Sequence, residues 1–260
     1  MTPIGLYWWR HQDQRIRNVG DELSPLIVAM VSGRPVTYAP MATCDLVAIG
    51  SQAEVALEIR RDRPIHVWGT GFQFEGPPVE PTHARVAAVR GPLSAARLGL
   101  AGMVAMGDPG LLADGLLDRM PRVRHRVGLV PHYVDLDLPA VRAWNGLRHD
   151  VVISPLTPPR VFIRAIAACD VILSSSLHGL AVADALGVPN RWVRLSDRVR
   201  GDGYKFRDHL QCVGETDETP IQLPAPGALD ARVLTQIENA YRRPALDVIR
   251  RTLAASFPVI

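Results

Sequence analysis

Short apolar runs rich in valine and isoleucine alternate along this chain with amphipathic stretches closed by glycine. This rhythm constrains the fold more than any other feature, because strands separated by helices build a mostly parallel sheet covered by helices. In the first half it predicts strands near 4–9, 45–50, 65–69, 84–89 and 103–107, and helices near 22–32, 52–60 and 92–98. Asp21 is expected to cap the helix beginning at Glu22, and Gly33 to end it in the left-handed conformation. Gly91-Pro92 opens another helix with proline where its missing N–H costs nothing, and Gly99 closes it.

The rhythm lapses over 113–126, which ends in the basic run Arg122-Val-Arg-His-Arg126. It resumes with strands near 127–131, 150–154, 170–174 and 190–195 and helices near 136–146, 159–168 and 178–186. A two-domain α/β protein is expected, with an N-terminal domain over 1–120 and a second over 121–228. Residues 229–260 form a C-terminal segment whose helix, from about Asp230 to Ala255, is expected to pack back across the junction. After Asp197 the pattern weakens through Gly201-Asp-Gly203 and the charged stretch Tyr204 to His209, and 215–227 reads as a Pro-rich surface crossing.

Composition narrows the class of function. The chain has 260 residues, 47% of them hydrophobic, enough to bury roughly three quarters of the unfolded surface. No apolar run reaches the length of a membrane-spanning helix, and no export signal is visible. Cys44, Cys169 and Cys212 are odd in number and far apart, so they read as buried fillers in a reducing cytosol. The net charge of +3 is mild and the arginines are dispersed, which argues against a nucleic-acid stripe. Lys205 is the only lysine, which suggests a position suited to a flexible point charge.

In open α/β sheets, ligands bind beyond the carboxyl ends of the strands. The turns there are polar and Gly-rich. Ser174-Ser-Ser-Leu-His178-Gly179 stands out, because serine hydroxyls and free N–H groups at a helix start favour an anion. His178 lies in that first turn, where the helix dipole disfavours its charged form until an anion arrives. Arg90 and Asp108 sit at other strand ends, and Asn18 and Asp21 follow the first strand; each of these also has a plain role in a turn or cap. The chain lacks a P-loop, a His-Glu-x-x-His motif, a Gly-x-Ser-x-Gly elbow and a dense acidic cluster, and Gly69-Thr-Gly71 lacks the third glycine of a dinucleotide fingerprint. The residues alone thus point to a small phosphorylated or carboxylated ligand held between two α/β halves.

Six motifs occur in an order that resembles the polysaccharide pyruvyl transferase family, in particular its short bacterial exopolysaccharide members. They are Asn18-Val-Gly-Asp-Glu-Leu-Ser24, His66-Val-Trp-Gly-Thr-Gly71, Val89-Arg-Gly-Pro92, Gly107-Asp-Pro-Gly-Leu-Leu112, Val130-Pro-His132 and Ser174-Ser-Ser-Leu-His-Gly179. The resemblance implies two Rossmann-like halves facing a cleft, as in GT-B glycosyltransferases. It also implies transfer of a carboxyethylidene group from phosphoenolpyruvate to two hydroxyls of one sugar, with neither a metal nor a redox cofactor. The family's histidine and arginine fall on His178 and Arg90. Many members carry arginine where this chain has Ser176, and Lys205 or Arg207 is the expected replacement.

On this reading His178 acts as acid or base, with Asp108 or Asp21 accepting a hydroxyl proton. Arg90, Ser175, Ser176, Leu177, Lys205 and Arg207 hold the donor, and Asn18, Gly71 and His132 line the acceptor side of the cleft. The expected partner is a lipid-linked oligosaccharide met by a cytoplasmic protein at the inner membrane face, without nucleic acid. Two alternatives share these features: a nucleotide-sugar-dependent GT-B glycosyltransferase, and a non-catalytic component of glycan assembly.

Overall fold

The computed structural model describes residues 2–13, 16–144, 149–223 and 231–260. The first half contains β1 (Ile4–Tyr7), α1 (Val19–Ser32), β2 (Val36–Tyr38), β3 (Leu46–Val47), α2 (Ala53–Glu58), β4 (Ile65–Trp68), β5 (Ala84–Val89), α3 (Pro92–Arg97) and β6 (Ala105–Met106). A 3-10 run over Pro109–Leu116 leads out of it. The second half contains β7 (His125–Val130), α4 (Pro139–Trp144), β8 (Asp150–Val152), α5 (Pro159–Ile166), β9 (Cys169–Ser174), α6 (Leu177–Ala185), β10 (Asn190–Arg194), α7 (Tyr204–Cys212) and β11 (Ile221–Gln222). Helices α8 (Ala231–Ala240) and α9 (Leu246–Ala255) follow.

All strand pairings described are parallel. Six strands form one sheet in the order β2-β1-β3-β4-β5-β6, and five form another in the order β11-β10-β9-β7-β8. Parallel strands need crossover helices, which is why sheet and helix alternate in the sequence. The chain is therefore a mixed α/β protein of two Rossmann-like halves in a GT-B-like arrangement.

The largest apolar cluster belongs to neither half alone. It joins Leu23 and Ile27 of α1, Leu112 and Leu116 of the 3-10 run, Phe162 and Ile163 of α5, and Val182 of α6. Leu253 of α9 joins the same cluster, and the Trp68 indole N–H donates to its carbonyl at 3.0 Å. Helix α8 instead packs on β9 and β10. The expected single helix over 230–255 is thus two, broken at Tyr241–Ala245, with residue 230 outside the described residues.

Other departures from the sequence reading have local causes. Helix α1 starts at Val19, with Asn18 rather than Asp21 at the N-cap position, so Asp21 lies inside the first turn. Gly33 takes the predicted left-handed turn at φ 65°. Strands β2 and β11 are too short, at 3 and 2 residues, for a period of two to register. The patternless stretch after Gly203 is helix α7, whose buried face includes Asp208 and His209 alongside Phe206 and Leu210. A polar buried face hides a helix from any hydrophobic pattern. Of the cysteines, Cys44 and Cys169 are buried and Cys212 is half-buried.

Candidate active site

The carboxyl ends of both sheets converge on one cleft of about 320 Å³. Asn18 and Asp21 enter it from the turn after β1, Ser51 and Gln52 from the turn after β3, and Gln73 from the turn after β4. From the second half come His132 and Tyr133 after β7, Ser176 and His178 after β9, and Arg198, Arg200 and Lys205 after β10.

His178 occupies the first turn of α6, a helix buried along its whole length. Its ring lies against Gly20 of α1, where a Cβ would fall inside the imidazole. On the far side, Nε2 stands 3.7 Å from Asp108 Oδ2, and neither atom has a hydrogen-bond partner. The other Asp108 oxygen accepts from the Gly110 backbone N–H at 2.8 Å, which fixes the carboxylate. Burial lowers the His178 pKa to about 4, and Asp108 opposes that shift. The ring is therefore neutral near neutral pH and becomes a stronger base when negative charge enters the cleft.

Asp21, Lys205 and His132 share the cleft with it. Burial raises the Asp21 carboxyl to about 7, although Asn18 donates to it at 2.7 Å and Lys205 lies nearby. Burial lowers Lys205 to about 8, and Arg90 adds to that shift. His132 is pushed down to about 3, again mainly by burial, with Lys205 second. Three of these four shifts follow from taking positive charge out of water, so the cleft is poised to gain from an anion.

Arg90 stands behind this wall. It is fully buried and donates to Asp208 Oδ2 at 3.0 Å, Ser51 Oγ at 2.9 Å and the Phe72 carbonyl at 2.6 Å. Asp208 also accepts from the Ser94 N–H at 3.0 Å and the Ser94 hydroxyl at 2.6 Å, satisfying the start of α3. Gly91 is required here because a Cβ would collide with the Asp208 carbonyl. The Val-Arg-Gly-Pro motif is thus a clasp between the first half and α7, and α7 carries Lys205. Next to Asp208, His209 meets Asp184 of α6 at 2.9 Å, and Arg243 and Asn190 bind the same carboxylate. Helix α7 is consequently bolted to both halves.

Of the remaining candidates, Leu177 also lines the cleft, whereas Gly71 packs beneath the Arg90 guanidinium. Ser175 and Arg207 line a neighbouring cavity. The serine turn is less open than expected. The single Ser174 hydroxyl proton lies between the Ser176 carbonyl at 2.7 Å and the Val130 carbonyl at 3.0 Å, and Ser175 donates to Asp135 while accepting from the His132 N–H, so only Ser176 presents itself to the cleft. The sequence reading missed Arg198, Arg200, Gln52, Gln73 and Trp9, which belong to none of the six motifs, and Tyr133, which directly follows Val130-Pro-His132. Among the described residues, no group of three or more acidic, histidine or cysteine side chains could hold a metal ion.

The sequence profile of polysaccharide pyruvyl transferases matches residues 3–197, a span that takes in Asp21, Arg90, Asp108 and His178. The chain belongs to the polysaccharide pyruvyl transferase family. Among relatives of this pyruvyl transferase family member, the succinoglycan biosynthesis protein ExoV of Rhizobium meliloti is 28% identical over 234 residues, covering 87% of the chain and 70% of ExoV. An uncharacterized mimivirus protein, L143, is 31% identical over 119 residues, covering 43% of the chain and 40% of that protein. The similarity to L143 thus spans less than half of either protein.

Proposed function

We propose that the chain transfers a carboxyethylidene group from phosphoenolpyruvate to two hydroxyls of one sugar in a polysaccharide repeat unit, releasing phosphate. The observation that carries this reading is the convergence of His178, Asp21 and Lys205 from separate elements on one anion-poised cleft. Family membership supports pyruvyl transfer, and the name of ExoV supports a glycan acceptor.

The donor carries three negative charges near neutral pH. Lys205 and Arg200 are placed to meet them and to replace the cation missing at Ser176, since Arg198 is already engaged with Asp137 at 2.6 Å. A trianion also pushes the Asp21 carboxyl further up and keeps it protonated. Asp21 then supplies a proton to the methylene carbon, leaving C2 cationic. One sugar hydroxyl bonds to C2 and returns its proton to Asp21. The bond from C2 to the phosphate oxygen breaks, the second hydroxyl closes the ketal, and its proton passes by way of His178 to the departing phosphate. One proton enters carbon, two leave oxygen, and the products are a ketal carboxylate and hydrogen phosphate. Fixed cations and a neutral base in a sheltered cleft act chiefly through preorganised electrostatics.

Asp108 is fully buried, so its role in this scheme is to hold the His178 imidazolium rather than to touch a sugar. Arg90 likewise acts through Ser51 and α7. The reaction calls for no resident metal or redox cofactor. A lipid-linked acceptor would bring a cytoplasmic protein to the inner membrane face; no helix among the described residues is long and apolar enough to cross a membrane. The test is incubation with phosphoenolpyruvate and lipid-linked repeat units, read by phosphate release and by the mass gain of one carboxyethylidene group. Phosphate release without that mass gain, or stabilisation by nucleotide sugars in place of phosphoenolpyruvate, would overturn the proposal.

A further inference from the structure

The mouth of the cleft carries an aromatic surface that the transfer scheme does not use. Trp8 and Trp9 follow β1, and the alternation of the extended chain sends them opposite ways. Trp8 is buried against Tyr38, edge to face at 5.1 Å. Trp9 stays partly exposed and lines the cleft. There it stacks on Tyr133 of the second half, with centroids 6.5 Å apart and planes 28° apart. Tyr133 in turn lies 4.6 Å from the His132 ring, and His11 closes the group at 5.4 Å from Trp9.

Core packing does not account for this patch. All four rings are partly exposed, and none belongs to a buried apolar cluster. Partly wet aromatic side chains beside a few convergent polar groups are the usual lining of a small-molecule site. The cleft is also chemically divided. Lys205 and Arg200 give it a charged region, and Trp9 and Tyr133 give it flat apolar faces. A trianion has no use for such faces. A pyranose does, because its axial C–H bonds form an apolar face while its hydroxyls point outward around the ring.

We infer that Trp9 and Tyr133 form the acceptor subsite, a platform contributed by both halves on which one pyranose ring stacks with its hydroxyl pair turned towards the anion-binding end. Asn18 and Gln73 lie on the same cleft and can take hydrogen bonds from the remaining hydroxyls. The inference rests on the pyruvyl-transfer reading for the identity of the acceptor, but the platform itself is separately testable.

Saturation-transfer NMR with the full chain and a panel of methyl glucoside, galactoside and mannoside, recorded with and without phosphoenolpyruvate, tests it. At least one glycoside is expected to show transfer to its ring C–H protons. In Trp9→Ala and in Tyr133→Ala that signal should weaken about tenfold, as expected for loss of an aromatic contact. Trp9→Phe, which keeps a ring, should retain most of it. Stabilisation by phosphoenolpyruvate, measured as a Tm shift, should be unchanged in all three variants and shows that they are folded. Unaltered glycoside signals in the alanine variants, or no signal from any glycoside with the unmodified chain, would overturn the platform. Loss of the phosphoenolpyruvate shift in the unmodified chain, with glycoside binding still sensitive to Trp9, would overturn the donor and leave the platform standing.

Discussion

The His178 imidazole and the Asp108 carboxylate face each other across the junction of the two halves, Nε2 to Oδ2 at 3.7 Å, with neither atom otherwise partnered. At that distance the pair is idle while the ring is neutral and tightens when it gains a proton. Asp108→Asn is therefore expected to lower kcat by roughly 10²-fold or more, with KM for phosphoenolpyruvate little changed. Because Asp108 holds the His178 pKa up, the limb of the pH–rate profile that reports this ring should move to lower pH. A profile that does not move would remove Asp108 from the proton chain.

Gly20 offers a sharper probe of the same ring. A methyl group there would occupy the space of the imidazole, so Gly20→Ala should push His178 off its position while leaving both sheets intact. Overpacking of this kind costs about 1–3 kcal/mol. Urea unfolding should show that modest loss, together with a loss of turnover comparable to that of His178→Ala. Normal turnover in Gly20→Ala would show that the ring's placement is irrelevant.

Asp21 sets a pH dependence of stability. Its carboxyl titrates at about 7 in the folded chain and near 3.8 when unfolded, so between those values the folded state binds more protons. Its contribution to stability is therefore present at low pH and is lost as pH rises towards 7. Asp21→Asn should be more stable than the parent at pH 8, on the order of 1–3 kcal/mol, and nearly equal to it at pH 4. It should also be inactive. Equal Tm differences at both pH values would contradict the assignment.

The Arg90–Asp208 pair is expected to matter for architecture before chemistry. Removing one member leaves a buried charge without its partner, so Asp208→Asn and Arg90→Met should each cost about 3–5 kcal/mol by chemical denaturation. The double variant should cost clearly less than the sum of the two, because it leaves no orphaned charge. Strict additivity would mean that the clasp does not couple the halves.

The core shared by both halves predicts cooperative unfolding. Leu253→Ala, on a helix that returns to the first sheet, should cost about 2–5 kcal/mol and should lower a single calorimetric transition. Two resolved transitions would show that the halves fold independently.

Alternation of short apolar strands with glycine-closed helices determined the α/β class and the parallel pairing, because those patterns report which local face is buried. The same reading located Asp21, His178 and Lys205 at strand ends or in odd contexts, where ligands gather. It could not see that Arg90 and Asp108 point inward, because the sequence does not say whether a strand-end side chain meets solvent or another element. Helix α7 escaped for a related reason: its buried face is satisfied by Arg90, Ser94 and Asp184, partners up to 118 positions away in the chain. Local propensity and period are properties of neighbours in sequence, and the chain wrote them legibly. The cleft, the clasp and the aromatic mouth arise from pairings across the two halves, which only tertiary packing decides.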